Sequence, residues 1–408
     1  MRVPELVMPA GSLEKMKTAL IFGADAVYLG GKEFSLRAYA GNLTLHEIAE
    51  GLKFARERQR RVYITVNVLA RNRDIERLPA YLEQLAELGV DGLIVSDPGV
   101  LRLATRYAPG LPITVSTQAS VCNYETAAFY RELGARRLVL ARELSLPEIE
   151  EIKQKVDIEL EVFVHGAMCV SYSGRCLLSH YMTGRGANQG ECAHPCRYSY
   201  TLMEEKRPGQ YYPIEEDEKG SYILNSRDLC LLEYLPQLIE MGVDAFKVEG
   251  RMKSPLYVAS VASVYRQAIE NYQTQRSHFS MEQLSEWRQE LCKTATRPFT
   301  NGFVEGESPW LQDIDKEEVL GRSEFCGVVK GWNQALERME IEQRGNFGPG
   351  DTLELILPGG QVLPCPLEVL YDEEDNILDR ARHARQRVFL PLARSVPEYS
   401  ILRKVISR

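Results

Sequence analysis

"FGADAVYLG", residues 22–30, recurs in kind as "LGVDGLIVS" (88–96), "LGARRLVLA" (133–141) and "MGVDAFKVE" (241–249). In each case a glycine closes a helix-like segment, and an apolar run begins two or three residues later. Glycine enters the left-handed conformation that ends a helix without a Cβ penalty. The following run has the length and composition of a buried strand. Working outward, similar runs occupy 5–9, 26–30, 62–67, 92–97, 113–118, 137–143, 160–166 and 245–250. They are apolar through most of their length, as expected of parallel strands covered on both faces. Helical patterns lie between them, such as "SLEKMKTALIFG" (12–23), which opens on the cap candidate Ser12, and "LPAYLEQLAELG" (78–89). The expectation is an α/β protein built on a (β/α)₈ TIM-like barrel, a fold of about 250 residues. A doubly wound open sheet is the alternative, but no dinucleotide-binding glycine fingerprint follows the first strand.

The barrel is expected over 1–275, with a cysteine-rich excursion after strand 7 at 166–226. Within that excursion "YSYTL" (198–202) is expected to pair with "SYILN" (221–225) as a hairpin. "SRDLCLLEYLPQLIEMG" (226–242) then reads as the seventh helix, with Ser226 or Asp228 near its cap. A helix over 254–272 closes the barrel, residues 276–319 read as a helical linker, and 320–408 as a small all-β barrel domain of alternating runs and turns.

With 44% hydrophobic and 26% charged residues among 408, the chain has the composition of a soluble globular protein. It lacks a run of eighteen apolar residues, and "MRVPELVMPAG" has no signal-peptide core, so a cytoplasmic protein without membrane association is expected. A net charge of −8 argues against indiscriminate nucleic-acid binding. "RERQRR" (56–61) and "RARHARQR" (380–387) are the local basic candidates, each also readable as a solvated surface.

The spacing Cys169-x₆-Cys176-x₁₅-Cys192-x₃-Cys196 falls in the excursion, just past the seventh strand. Thiols stay reduced in the cytoplasm, so clustered cysteines there point to metal before disulfides. Zinc knuckles favour short C-x₂-C pairs, absent here, whereas iron-sulfur cores accept irregular spacing. Spacing leaves iron-sulfur, zinc and unrelated thiols all open. Cys230 reads as a small buried hydrophobe in an apolar helix, or as a ligand replacing Cys196. Cys122, Cys292, Cys326 and Cys365 stand alone in structural contexts.

Barrel enzymes keep their chemistry at the C-terminal ends of the strands. Tyr28, Asn67, Asp97, Gln118, Glu143, His165, Glu249 and Arg251 are expected there. His165, Glu249 and Arg251 are the catalytic candidates. His165 also reads as a strut for the cysteine loop, and Glu249 with Arg251 as a structural ion pair. In the functional reading Arg251 grips a carboxylate or phosphate by a bidentate contact. Arg142 and Arg175 are further anion-binding candidates, and Arg380, Arg382, Arg385 and Arg387 are candidates for gripping an RNA backbone.

"PAGSLEKMKTALIFGADAVYLGG" (9–31), "EVFVHGAMCVSYSGRCLLSHYMTGRGANQGECAHPCRY" (161–198) and "FKVEGRMKSPLYVASVASVYR" (246–266) resemble the collagenase-like peptidase family, peptidase family U-32. The likeness runs over nearly the whole chain and is greatest to the branch acting in bacterial tRNA uridine hydroxylation. It implies a [4Fe-4S] cluster on Cys169, Cys176, Cys192 and Cys196, with prephenate as co-substrate. It also implies conversion of the wobble uridine of tRNA to 5-hydroxyuridine. The implied partners are tRNA and a paralogous or hetero-oligomeric protein. The alternatives are a collagenase-like peptidase and a non-catalytic iron-sulfur partner of a hydroxylase. The chain has neither an H-E-x-x-H zinc helix nor a G-x-S-x-G elbow.

Overall fold

A computed structural model describes residues 3–35, 41–169, 171–197, 202–203, 211–212, 216–217, 220–221, 227–306, 322–392 and 395–406. The chain divides into two compact units. One comprises Met1–Leu13, Ala26–Arg251 and Arg297–Glu318, and the other Glu14–Asp25, Met252–Thr296 and Val319–Arg408.

The first unit holds the closed parallel barrel. Its strands are β1 (Glu5–Ala10), β2 (Ala26–Gly30), β3 (Arg61–Val66), β4 (Gly92–Val95), β5 (Ile113–Val115), β6 (Arg137–Val139), β7 (Glu159–Ala167) and the strand Ala245–Val248. The last of these pairs in parallel with both β7 and β1, which closes the ring. Helices α1 (Leu13–Ile21), α2 (Leu45–Arg56), α3 (Asn72–Ile75), α4 (Leu78–Leu88), α5 (Pro98–Tyr107), α6 (Tyr124–Glu132) and α7 (Leu146–Lys155) lie in the connections.

The four repeated junctions work as their residues dictate. Gly23, Gly89, Gly134 and Gly242 have φ of 115°, 69°, 91° and 78°, in the region that favours glycine. The aspartate two residues on has its own task. Asp91 Oδ2 accepts from the Val62 amide at 2.8 Å, and Asp244 Oδ2 from the Leu160 amide at 2.9 Å. Each carboxylate thus occupies an amide near the start of the preceding strand, where the ladder has not yet begun.

The barrel floor is ionic. Arg137, buried on β6, lies 2.7 Å from Glu5, 3.0 Å from Glu159 and 3.1 Å from Glu161. Lys247 reaches Glu161 at 2.5 Å, and Tyr63 donates to Glu5 at 3.0 Å. A pocket of about 220 Å³ opens beside this cluster, lined by Arg61, Tyr63, Asp91, Thr114, Arg137 and Glu159 among others. It sits at the N-terminal ends of the strands, opposite the catalytic face of such barrels. Neighbouring carboxylates compensate its cations, so we assign it a structural role.

The stretch over 226–242 departs from expectation. Asp228–Cys230 is a strand antiparallel to the end of β7, with Leu229 opposite Gly166 and Cys230 opposite His165. A 3₁₀ turn (Leu232–Tyr234) and a short helix, Leu235–Glu240, follow. Asp228 is therefore a strand residue and not a helix cap, and Cys230 is buried in a strand and not in a helix. The leucine spacing fits a helix, but pairing with β7 wins locally. Phe299–Thr300 adds a further parallel strand beside Asp228–Cys230. Of the expected hairpin, 198–201 and 222–225 lie outside the described residues. The ends that are described pair elsewhere, Leu202 with Tyr212 and Ser221 with Glu216.

The second unit contains an eight-stranded antiparallel sheet, the all-β domain expected from 320 onward. Its core includes Cys326, Met339, Ile341, Phe347, Leu390 and Leu402. Helices Pro255–Gln275 and Met281–Cys292 belong to the same unit. Arg403, wholly buried, joins sheet to helix, donating to Glu354 at 2.8 Å and to Glu290 at 2.7 Å. The basic run at 380–387 is largely spent within its own domain. Arg380 pairs with Asp351, Arg382 with Asp379 and Arg387 with Glu340. That compensation reduces the field these arginines offer a phosphate backbone.

Candidate active site at the barrel mouth

β7 carries the chain from the barrel into the cysteine excursion. Its register against the closing strand slips between Lys247 and Val248, which leaves one extra residue on β7. Such a bulge turns the strand end and re-aims its side chains. His165 follows, opposite Val248 on one side and Cys230 on the other, its ring 5.4 Å from that of Phe299. Gly166 has φ +106°, and a Cβ there would stand 2.4 Å from the Glu249 carbonyl oxygen. Only glycine permits this close approach.

His165 and Glu249 are brought together, since the Glu249 amide donates to the His165 carbonyl at 2.8 Å. The Glu249 carboxylate lies 3.4 Å from the Tyr28 hydroxyl and 3.8 Å from Arg142. Arg142 is buried, stacks 4.0 Å over the Phe163 ring and donates to the Ala167 carbonyl at 2.8 Å. It thereby pins the residue two before Cys169. Its Nε is buried without a hydrogen-bond partner. Arg251 is buried and donates to Ser35 at 3.1 Å and to Asn42. A ligand carboxylate reaching it must displace those contacts. Asp97 caps α5, accepting from the Gly99 and Val100 amides at 2.7 and 3.1 Å. Asn67 and Gln118 meet at 3.3 Å. Burial pushes the Glu143 carboxyl above its usual range, against the opposing charge of Arg142. Burial, then Glu143 and Glu148, raise the Cys122 thiol in the same way.

The excursion folds back over these strand ends. Ser120 donates to the Ser173 carbonyl at 3.4 Å, and the Leu69 amide to the Asn188 carbonyl at 3.2 Å. A Cβ on Gly174 would stand 2.9 Å from Gln118. Cys169 through Cys196 thus spans the C-terminal ends of β3 and β5 from its origin on β7.

Inside the excursion, Cys176 precedes the helix α8 (Leu178–Thr183), and Cys196 lies in a 3₁₀ turn packed against it. Ser179, fully buried, joins the arms. Its hydroxyl donates to the Arg185 carbonyl at 2.9 Å and accepts from the Ala193 amide at 3.0 Å. Between Cys192 and Cys196, His194 holds φ +58° immediately before Pro195. Left-handed backbone is uncommon for a non-glycine residue and costly before proline. The bond from the Ala193 amide to Ser179 fixes the backbone just before His194. Sequence reasoning did not identify Ser179, because both partners of its hydroxyl lie outside its own helix. Replacing Ser179 by alanine should remove both hydrogen bonds that join the two arms, at about 1–3 kcal/mol in all. Hydrogen exchange should then show lost protection at the Ala193 amide, with the barrel strands unchanged.

None of the nine cysteines forms a disulfide. Cys169 is exposed, and Cys176, Cys192 and Cys196 are partly so. Among the described residues, no three His, Cys, Asp or Glu side chains stand together in a way that would hold a metal ion. The four excursion thiols nonetheless offer the soft donor set that iron-sulfur cores take, on one segment at the C-terminal face of the barrel.

Residues 11–311 match peptidase family U32, and residues 321–403 match the peptidase family U32 C-terminal domain. The chain is 40% identical to the tRNA hydroxylation protein P1 of Bacillus subtilis over 98% of its length and 94% of that protein. It is 35% identical to the tRNA hydroxylation protein P of Escherichia coli, covering 88% of this chain and 87% of that one. The 23S rRNA 5-hydroxycytidine C2501 synthase of Escherichia coli is also 35% identical, over 86% of this chain and 52% of the synthase.

Proposed function

The chain belongs to peptidase family U32, and from that membership and the thiol-bearing mouth of its barrel we propose that it is an RNA-hydroxylating enzyme. Its substrate is tRNA, and its product 5-hydroxyuridine at the wobble position. The observation that carries this reading is the near full-length likeness to the tRNA hydroxylation protein P1 of Bacillus subtilis, in a chain whose four closely spaced cysteines follow the end of β7.

In this reading Cys169, Cys176, Cys192 and Cys196 hold a [4Fe-4S] cluster, which when bound supplies one-electron transfer. The chain's own residues do the rest. Arg142 fixes the strand end that leads to Cys169, and Ser179 draws the Cys192–Cys196 turn against α8. His165 and Glu249, joined through the backbone, with the Glu249 carboxylate close to Tyr28 and Arg142, are the groups proposed to hold or move a proton at the mouth. Prephenate, the co-substrate of this reading, is a dicarboxylate, and Arg175 and Arg142 are its candidate partners. Among the described residues no helix is long and apolar enough to cross a membrane. The peptidase alternative would need a nucleophile–base pair or a zinc helix, and the sequence carries neither known pattern.

Nucleoside mass spectrometry of total tRNA tests the proposal. A strain deleted for this gene and any paralogue should lack 5-hydroxyuridine and nucleosides made from it, and the restored gene should return them. Unchanged nucleosides in the deletion overturn the reading.

A further inference from the structure

Among the described residues most large apolar side chains are buried, yet the excursion leaves four substantially exposed within eleven residues. Tyr172 is 45% exposed, Leu177 70%, Tyr181 87% and Met182 44%. Packing does not explain this. A ring as free as that of Tyr181 contributes little to folding, and exposed apolar clusters on soluble proteins mark interaction sites.

The charge around these side chains narrows the partner. From Cys169 to Gly190 the chain has no aspartate or glutamate, although it carries 57 acidic residues in all and a net charge of −8. The same stretch contains Arg175 and Arg185. An acidic protein therefore carries an acid-free segment bearing cations and exposed aromatic rings beside its barrel mouth, with Glu143 and Glu148 as the neighbouring carboxylates on the Tyr172 side. Cations with interleaved aromatic rings suit unpaired RNA, whose phosphates need positive charge and whose splayed bases stack on tyrosine. A base reaching a barrel-top pocket must first leave its own stack, and its neighbours then need a new surface.

We infer that Tyr181, with Tyr172, Arg175 and Arg185, forms a stacking platform for the unpaired bases of an RNA loop as the target base enters the mouth. The inference rests on the RNA reading above and assigns the binding surface that reading needs, at residues distinct from the thiols. In the β-domain, by contrast, Arg380, Arg382 and Arg387 are already paired with carboxylates.

The test is equilibrium binding of an unmodified anticodon stem-loop with uridine at the wobble position. The full chain is used, wild type and with Tyr181→Ala, Tyr181→Leu or Tyr181→Phe. Base–aromatic stacking is typically lost at a cost of about ten-fold or more in affinity. Tyr181→Ala and Tyr181→Leu should each bind about ten-fold more weakly, and Tyr181→Phe should bind like the wild type. Circular dichroism should show all three folded, because the side chain is in solvent. Wild-type affinity in folded Tyr181→Ala overturns the platform while leaving the RNA reading intact. Weakening in Tyr181→Phe equal to that in Tyr181→Ala also overturns it, since a hydroxyl contact and not stacking would then hold the RNA. If Tyr181→Ala abolishes self-association in sedimentation and leaves RNA affinity unchanged, the face is a protein contact and the inference fails. Absence of RNA binding by the wild type counts against the functional reading itself.

Discussion

Arg137→Met should destabilise the barrel by about 3–5 kcal/mol, the loss expected when one partner of a buried ion pair is removed. Arg137 is 5% exposed in its side chain and faces three carboxylates, those of Glu5, Glu159 and Glu161. Methionine matches much of its volume, so the loss comes from charge. Glu5 and Glu161 would remain in the barrel floor with Lys247 and Arg61 as the nearest compensation. Urea unfolding monitored by far-ultraviolet circular dichroism reads the effect as a lower midpoint. Adding Glu5→Gln to Arg137→Met should recover part of the loss, because that pair is then removed together and the remaining cation on Glu5, Arg61, is half-exposed. If the single variant unfolds at the wild-type midpoint, the cluster does not stabilise the floor.

The same cluster predicts a dependence on pH. Burial alone would raise the Glu161 carboxyl, but Lys247 and then Arg137 outweigh it and hold it below the ordinary value of 4.5. A carboxylate with a lowered folded pKa contributes stability that is fully present above its unfolded pKa. That contribution is lost as pH falls through the folded value. The wild type should therefore lose stability progressively below about pH 4.5, and Arg137→Met, lacking one of the two cations, should lose less over the same range. A parallel pair of profiles would contradict this account of the floor.

The second large effect is expected at the thiols. Cys176→Ala, expressed in the deletion strain, should fail to restore 5-hydroxyuridine-derived nucleosides although the protein accumulates and folds. Cys176 is only partly buried and outside the barrel core, so losing its sulfur removes little packing. Cys230→Ala is the contrasting variant. Its side chain is buried in the strand beside β7, and its loss should lower stability while leaving the modification in place. Equal restoration by Cys176→Ala and wild type would remove the thiols from the chemistry.

The barrel was legible because its signals are local and repeated. Four glycine junctions end helices through their own backbone freedom, and Asp91 and Asp244 follow them at a fixed offset to occupy strand amides. Around residue 230 local reading failed. Leu229, Leu231, Leu232 and Leu235 have helical spacing, but Asp228–Cys230 pairs with β7 residues more than sixty positions earlier. A single sequence does not display that partner. The candidate site divides the same way. The cysteines announce themselves by residue type and spacing, and His165 and Glu249 by their places at strand ends. Ser179 resembles any helical serine until Arg185 and Ala193 are folded around it. Arg380, Arg382 and Arg387 look like a phosphate grip when charges are counted along the chain, whereas the fold sets a carboxylate against each.

Iron and acid-labile sulfide determination on the full chain, purified without air, tests the central claim most directly. A [4Fe-4S] cluster on the four excursion thiols predicts a brown protein with about four irons and about four sulfides per chain, and loss of both in Cys192→Ala. A colourless protein that carries zinc, or one whose iron is unaffected by Cys192→Ala, would contradict it.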